Sequence, residues 1–247
     1  AAEQMGFPLV VKPAYSRYLK DGRWVSTCVS IVRSLEDLTN LPSSNPWLHD
    51  QPFMILQFGQ GQGQGLFALY NSGRPVAFFC HRRIREKPLS GGVSVLCEST
   101  AVDSKMRTVT EKLLESLAWH GVAMVEFKVA ADGTPYLMEI NARFWGSLQL
   151  AVDAGIDFPF LAYQLALNKE PLVPPSYRIG IRSRWLLGDL DRLYLVLKDK
   201  HTTPSQKLRE SVEFMKLLQP GTRFEVNRWD DMDPFWFELR KWLRDLR

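Results

Sequence analysis

Two glutamates, an asparagine and an arginine lie close together in the segment Met124–Gly146 of this 247-residue chain. Carboxylate and amide oxygens are the ligands that Mg²⁺ prefers, and the ion usually completes its coordination with water and substrate phosphates. A nearby arginine can hold a phosphate through two parallel hydrogen bonds. The residue types therefore predict a metal and phosphate site in which Glu126, Glu139 and Asn141 are the metal ligands and Arg143 is a catalytic cation.

The elements that position these residues are predicted to be two neighbouring strands. Val122–Val129 and Pro135–Ile140 are rich in β-branched, aromatic and apolar residues, and the Asp-Gly pair between them is typical of a hairpin turn. Alternate side chains of a strand share a face, so Glu139 and Asn141 point the same way and Glu126 can reach that face. Two carboxylates on an apolar strand pair repel each other unless a cation lies between them, which favours a metal site over a solvated hairpin edge.

Further cations are predicted on other strands. Lys12 lies in the apolar strand Leu9–Pro13, where a buried ammonium without an anion is costly. A lysine that extends its ammonium into solvent is the alternative. The charged cluster His81–Lys87 ends another strand, and alternation puts Arg83 and Arg85 on one face. A solvated run of charges is the competing interpretation of this cluster.

The segment 121–147, GVAMVEFKVAADGTPYLMEINARFWGS, resembles the metal-binding half of the ATP-grasp fold. In that family an acidic residue and a later Glu-x-Asn hold Mg²⁺ against ATP, and a nearby arginine assists. The segment GFPLVVKPA, which begins at Gly6, resembles the strand whose lysine meets the nucleotide phosphates. The similarity runs from about Gly6 to about Ala166 and is to bacterial, carbamoyl-phosphate-synthase-like carboxylate-amine ligases.

The resemblance implies that the chain uses ATP with Mg²⁺, or Mn²⁺ in its place, and joins a carboxylate to an amine through an acyl phosphate. The residues that it assigns to the nucleotide are Lys12, Leu56, Gln57 and Phe58. The residues that it assigns to catalysis are Arg83, Arg85 and Arg143. The family usually has a glutamate after the strand that ends here in Gln57, and an uncharged amide should bind the ribose hydroxyls more weakly.

The expected fold class is α+β, an ATP-grasp fold with two lobes of antiparallel sheet, covering helices and a mostly helical C-terminal extension. The predicted parts are a small lobe in residues 1–55, a large lobe with the metal-nucleotide site in 56–175, and the extension in 176–247. The repeat Gly59–Gly65 alternates glycine with glutamine and is expected to be a flexible connector. The N-terminal Rossmann-like domain usual in the family is absent from this sequence, so a separate chain is expected to supply it.

Composition and charge argue against several other classes. Lysine and arginine exceed aspartate and glutamate by only four, and the excess is spread along the chain, so nucleic acid is not an expected partner. No apolar run approaches the roughly 18 residues of a membrane-spanning helix, and a soluble cytoplasmic protein is expected. Cys28, Cys80 and Cys97 lack the spacing of a zinc or redox site and are expected to be reduced core residues.

Two functional interpretations stay open at this stage. The first is a ligase that acts on a small-molecule carboxylate and an amine, and the set of two glutamates, asparagine and arginine favours it. The second is a nucleotide-binding module that is not catalytic alone, and that either works with a separate chain supplying the missing domain or is retained for regulation. The missing N-terminal domain and the altered strand end at Gln57 favour this second interpretation.

Overall fold

The computed structural model describes residues 2–89, 91–216 and 220–245. The chain divides into two compact units, residues 1–60 and 61–247. The first unit has one hydrophobic core and the second has two, one on each face of its sheet. The boundaries predicted near residues 55 and 175 stay predictions.

The first unit is built on a small antiparallel sheet with the strand order β4-β1-β5. In β1, Leu9 and Val11 point into the core, where they meet Val32 and Trp47. Ser34 caps the following helix by accepting a hydrogen bond from the backbone nitrogen of Asp37 at 3.0 Å. The elements of this unit are α1 (Ala2–Met5), β1 (Leu9–Pro13), β2 (Arg17–Lys20), β3 (Arg23–Ser26), β4 (Ser30–Val32), α2 (Leu35–Ser44), a 3₁₀ turn (Pro46–His49) and β5 (Phe53–Gln57).

The second unit is built on a seven-stranded sheet with the order β10-β9-β6-β7-β8-β11-β12. All neighbouring pairs are antiparallel except β11 and β12. Its strands are β6 (Gln62–Asn71), β7 (Arg74–Lys87), β8 (Val93–Thr100), β9 (Gly121–Val129), β10 (Pro135–Asn141), β11 (Arg182–Arg184) and β12 (Thr222–Phe224). Its helices are α3 (Ser104–Ser116), α4 (Leu148–Ala154), α5 (Phe158–Ala166), α6 (Leu186–Lys198), α7 (Pro204–Met215) and α8 (Asp233–Asp245).

Helices cover both faces of this sheet because the interior strand β6 is apolar on both sides. On one face of β6, Leu66 and Ala68 pack with Met106 and Leu114 of α3. On the other face, Phe67 and Leu69 pack with residues of α4 and α5. Continuous apolar sequence in β6 is what a strand buried on both faces requires. The expected α+β class with two lobes of antiparallel sheet and covering helices is confirmed.

The expectation of a flexible connector at Gly59–Gly65 is wrong for its second half. Gln62–Gly65 forms the first part of β6 and pairs with both β7 and β9. Gly63 and Gly65 are buried, and they lie on one face because they are two residues apart. The alternation of glycine and glutamine is therefore a strand pattern in which one face carries no side chains.

The C-terminal part is mostly helical, as expected, and it also extends the large sheet through β11 and β12. Helix α8 contacts α6 through its tryptophan: Trp242 Nε1 donates to Asp191 Oδ1 at 2.7 Å. Trp185 Nε1 donates to Glu238 Oε1 at 2.5 Å. These two indole hydrogen bonds fix α8 to the unit.

The three cysteines differ in burial. Cys80 and Cys97 are buried and unpaired, as expected, but Cys28 is exposed and is not a core residue. Its thiol donates to Asn45 Oδ1 at 3.3 Å. Among the described ranges, no helix is long and apolar enough to cross a membrane.

Candidate metal and phosphate site

A β-bulge aligns the two glutamates of the predicted site. The hairpin pairs Leu137 with Phe127, but the register then shifts and Glu139 lies opposite Glu126. Without the bulge, Met138 would lie opposite Glu126, and Glu139 would pair with Val125 and point its side chain to the other face. The bulge therefore puts both carboxylates directly across from each other on one face of the sheet.

The three predicted metal ligands contact one another. Asn141 Nδ2 donates to Glu126 Oε1 at 3.0 Å and to Glu139 Oε1 at 3.3 Å. The amide thus bridges the two carboxylates. The sequence prediction that these three side chains share a face agrees with this geometry.

Arg83 of β7 supplies a positive charge to the same cluster. Its Nη2 donates to Glu126 Oε2 at 2.5 Å. Its Nη1 donates to Glu86 Oε1 at 3.0 Å and to the carbonyl oxygen of Gly92 at 2.9 Å. Lys128 Nζ contacts the other oxygen of Glu86 at 3.4 Å. The side chains of Arg83 and Glu126 are only 12% and 14% exposed, so this ion pair is largely shielded from water.

Two glycines leave space for the ion pair and for the histidine beside it. β6 lies between β7 and β9, so Arg83 must cross a whole strand to reach Glu126. A Cβ on Gly63 would lie 3.0 Å from Arg83 Cδ and 3.2 Å from Glu86 Oε1. A Cβ on Gly65 would lie 2.6 Å from His81 Nε2. The missing side chains leave a shallow cleft, in which the Arg83 side chain lies against Gly63 and the His81 ring lies against Gly65.

Gly63, Gly65 and Glu86 were not among the residues predicted for the metal and phosphate site. The alternating glycines preceding the apolar run of β6 were the available signal, because period two indicates a strand face without side chains.

The floor of the cleft continues into a buried aromatic cluster. His81 is 1% exposed, and its Nδ1 lies 3.4 Å from Ser147 Oγ. Burial, together with the charge of Arg83, lowers the pKa of His81 to about 3, so the imidazole is neutral. Trp145 packs on Phe67 with ring centroids 4.1 Å apart and on Phe158 with centroids 5.5 Å apart. These contacts anchor the loop that follows Asn141.

Burial raises the pKa of Glu126, and Arg83 opposes that rise while Glu139 adds to it. Burial acts to lower the pKa of Arg83, but the carboxylates of Glu126 and Glu86 outweigh it and the pKa is raised. Arg83 therefore stays charged, and Glu126 depends on a cation to stay ionised.

The predicted arginines have different surroundings. The expectation that Arg85 shares a face with Arg83 is wrong, because the register between β7 and β8 shifts between them. Arg85 Nη2 donates instead to Asp189 Oδ2 of α6 at 2.5 Å. Arg143 lies in the loop after β10, is exposed, and donates through Nη1 to the carbonyl oxygen of Phe144 at 2.9 Å. The catalytic roles of these arginines stay predictions.

The predicted nucleotide residues lie together in the first unit. Lys12 pairs with Met54 in the ladder between β1 and β5. Leu56 and Gln57 end β5, and the backbone nitrogen of Phe58 donates to the carbonyl oxygen of Pro8 at 3.3 Å. The sheet of the first unit thus brings the lysine strand and the predicted nucleotide strand side by side. Their nucleotide contacts stay predictions.

The donor set fits Mg²⁺. Two carboxylates and one amide oxygen are hard oxygen ligands, and this number leaves coordination positions for water and phosphate. No group of three or more His, Cys, Asp or Glu side chains in residues 2–89, 91–216 and 220–245 is arranged to hold a metal. The cluster of Glu126, Glu139 and Asn141 has two carboxylates and an amide, which suits an ion completed by a phosphate ligand.

Comparison with solved structures shows the same fold in several enzymes. The ADP complex of N5-carboxyaminoimidazole ribonucleotide synthetase has a TM-score of 0.60 and 12% identity, over 86% of this chain and 62% of that chain. N5-carboxyaminoimidazole synthetase from Staphylococcus aureus has a TM-score of 0.54 and 16% identity, over 82% and 51%. Biotin carboxylase from Campylobacter jejuni, in a β,γ-ATP complex, has a TM-score of 0.53 and 18% identity, over 73% and 41%.

The shared fold is accompanied by a match of nearly half of the chain to a family model. Residues 69–188 match the family described as ATP-grasp in the biosynthetic pathway with Ter operon. This range contains β7, β9 and β10 and therefore every residue of the cluster around Glu126. Comparison with curated protein sequences gave no match. The chain spans between 41% and 62% of the length of the three solved relatives described above.

Proposed function

We propose that this chain is the nucleotide- and metal-binding part of an ATP-dependent ligase that joins a carboxylate to an amine. The observation that carries the proposal is the convergence of Glu126, Glu139 and Asn141 on one face of the sheet, with Arg83 2.5 Å from Glu126. The ATP-grasp fold and the nucleotide complexes of its solved relatives support the same conclusion.

In the proposed reaction, the γ-phosphoryl group of ATP passes to a carboxylate oxygen of the acid, which gives ADP and an acyl phosphate. The amine nitrogen then attacks the acyl carbon, phosphate leaves, and the nitrogen loses a proton to give an amide. Bound Mg²⁺ would neutralise phosphate charge and orient the transferred group. Such transfer depends on positioned charges and needs no covalent nucleophile from the protein.

The chain's own residues would divide this work. Glu126, Glu139 and Asn141 would hold the metal, with Mn²⁺ able to replace Mg²⁺. Arg83 and Arg143 would stabilise charge on the phosphate oxygens. We assign Arg85 to anchoring α6, because its guanidinium lies on Asp189.

The residues of the first unit would have separate roles toward the nucleotide. Lys12 would meet a phosphate, and the backbone and side chains of Leu56, Gln57 and Phe58 would hold the nucleoside.

The second candidate function is a nucleotide-binding module that needs a partner chain for catalysis. Gln57 favours it, because the ATP-grasp family usually has a carboxylate there to bind the ribose. Arg143 also fits this function. Its side chain is exposed, and the hydrogen bond described for it goes to its own loop, which is compatible with a site that a partner completes.

The test is ADP release from Mg-ATP with pooled amino acids as acceptors, together with nucleotide binding by calorimetry. The ligase predicts ADP release that acceptors stimulate and that Glu139→Gln abolishes. Glu111→Gln, which changes a half-buried glutamate of α3 paired with Arg107 and outside the site, is the matched control and should behave like the wild type. Magnesium-dependent nucleotide binding without stimulated ADP release would support the partner-dependent module. The absence of magnesium-dependent binding would contradict both functions.

A further inference from the structure

We infer that Arg83 is the resident counter-ion of the metal site and that a divalent cation binds by displacing its contact with Glu126. This inference rests on the metal site proposed above. It makes Arg83 a positioning residue that sets metal affinity, in addition to any contact it makes with phosphate.

The two ends of the Arg83 guanidinium are held differently. Nη1 is fixed by the Glu86 carboxylate at 3.0 Å and by the Gly92 carbonyl oxygen at 2.9 Å. Nη2 has the contact with Glu126, at 2.5 Å. Loss of the Nη2 contact would therefore leave the side chain anchored and its charge still paired with Glu86. The guanidinium can give up Glu126 without becoming an uncompensated buried charge.

Asn141 also presents a hydrogen-bond donor at the position where a cation would lie. Asn141 directs its Nδ2 at both carboxylates, whereas a metal is bound by the oxygen of an amide. The carboxylates of Glu126 and Glu139 are thus bridged by an amide donor, and Glu126 is neutralised by an internal cation. A metal placed between both carboxylates would compete with these donors for their oxygens, and the inference is that Asn141 turns and Arg83 releases Glu126.

The test measures Mn²⁺ affinity by electron paramagnetic resonance, without nucleotide, in the full chain. Arg83→Met keeps the length of the side chain and removes the competing charge. We expect its Mn²⁺ dissociation constant to be about tenfold lower than that of the wild type, the order of effect of one charge-assisted hydrogen bond. The matched control is Arg82→Met, which removes the same charge from the adjacent residue, on the face that pairs with Glu98 at 2.8 Å. This control should bind Mn²⁺ like the wild type.

The outcomes separate this inference from the proposed function. Unchanged or weaker Mn²⁺ binding by Arg83→Met, with wild-type binding that depends on Glu139, would overturn the inference and leave the metal site intact. Equal tightening in both variants would also overturn it, because only long-range charge would be responsible. Failure of the wild type to bind Mn²⁺ would overturn the inference and the proposed metal site together.

A measurement on the unmodified protein keeps the inference testable if Arg83→Met does not fold. In a crystal structure of the wild type with Mn²⁺, we expect Arg83 Nη2 to lie beyond hydrogen-bond distance of Glu126 while Nη1 keeps its contact with Glu86. A Mn²⁺ complex in which Nη2 still donates to Glu126 would overturn the inference.

Discussion

At the residue scale, the candidate site depends on two positions that have no side chain. Gly63 leaves room for the Arg83 side chain of β7 to reach a carboxylate on β9, two strands away in the sheet. The buried and neutral His81 fills the space beside Gly65. The chemistry of the cluster and the packing below it are therefore set by the same pair of glycines.

Substitution of Gly65 tests this dependence. In Gly65→Ala the new Cβ would lie 2.6 Å from His81 Nε2 and 3.4 Å from Met124 Sδ, in a buried part of the sheet. We expect a loss of about 1–3 kcal/mol in the free energy of unfolding, the usual cost of overpacking a core. The control is Gly146→Ala, where no atom lies within 4 Å of the added Cβ. Equal stability of both variants in urea denaturation would contradict the described packing.

At the element scale, the C-terminal helices are tied to the sheet by buried charges. Asp189 of α6 accepts from Arg85 Nη2 at 2.5 Å and from Arg184 Nε at 2.7 Å. The side chains of Asp189 and Arg184 are each 1% exposed. One carboxylate thus compensates two buried guanidinium groups, on β7 and β11.

Removal of that carboxylate should be severe. Asp189→Asn leaves two buried positive charges without their anion, and we expect a loss of about 3–5 kcal/mol in the free energy of unfolding. Glu213→Gln is the control, because Glu213 pairs with Lys216 on the exposed surface of α7. Exposed ion pairs contribute little, so the control should unfold like the wild type. Similar thermal unfolding of the two variants would show that Asp189 is not buried among these arginines.

The region of β12 and α8 should show a dependence of stability on pH. Burial raises the pKa of Glu225 to about 7, and the nearby Glu238 contributes in the same direction while Arg228 opposes it. The unfolded chain has a pKa of about 4.3 for glutamate, so the folded state binds the proton more tightly. Protonation of Glu225 therefore contributes to the free energy of unfolding at low pH, and this contribution is lost as pH rises through about 7.

The substitution Glu225→Gln removes the titrating carboxyl group and so isolates its contribution to stability. We expect the variant to be more stable than the wild type at about pH 8, by up to about 3 kcal/mol, and to lose less stability between about pH 5 and pH 8. Urea denaturation at both pH values measures the difference. A variant whose stability falls with pH as steeply as that of the wild type would contradict the buried position of Glu225.

The elements also show what sequence reasoning can and cannot reach. The hairpin of β9 and β10 was predictable, because its composition and its Asp-Gly turn are local signals. The bulge at Met138 was not, since no local pattern distinguishes it from a regular strand position. The bulge between Arg83 and Arg85 reversed the predicted face of Arg85 for the same reason. Alternation along a strand predicts the face of a side chain correctly only where no bulge shifts the register.

At the scale of the whole molecule, all the proposed metal ligands and Arg83 belong to one compact unit, residues 61–247. The fold class was predictable from the sequence because the Glu-x-Asn hairpin and the lysine strand both resemble the ATP-grasp pattern. The extension of the large sheet by β12 was not predicted, because Thr222–Phe224 is too short to show a period. Long-range pairing of this kind depends on neighbours that a local pattern does not contain.

The most direct test of the central claim is a crystal structure of the wild type with Mn²⁺ and a non-hydrolysable ATP analogue, with the metal located by anomalous scattering. We expect an anomalous peak at about 2.1–2.3 Å from oxygens of Glu126 and Glu139, with a phosphate oxygen completing its coordination. A bound nucleotide with no metal between these carboxylates, with Arg83 still donating to Glu126 and Asn141 still bridging both glutamates, would contradict the claim that this cluster is a metal and phosphate site.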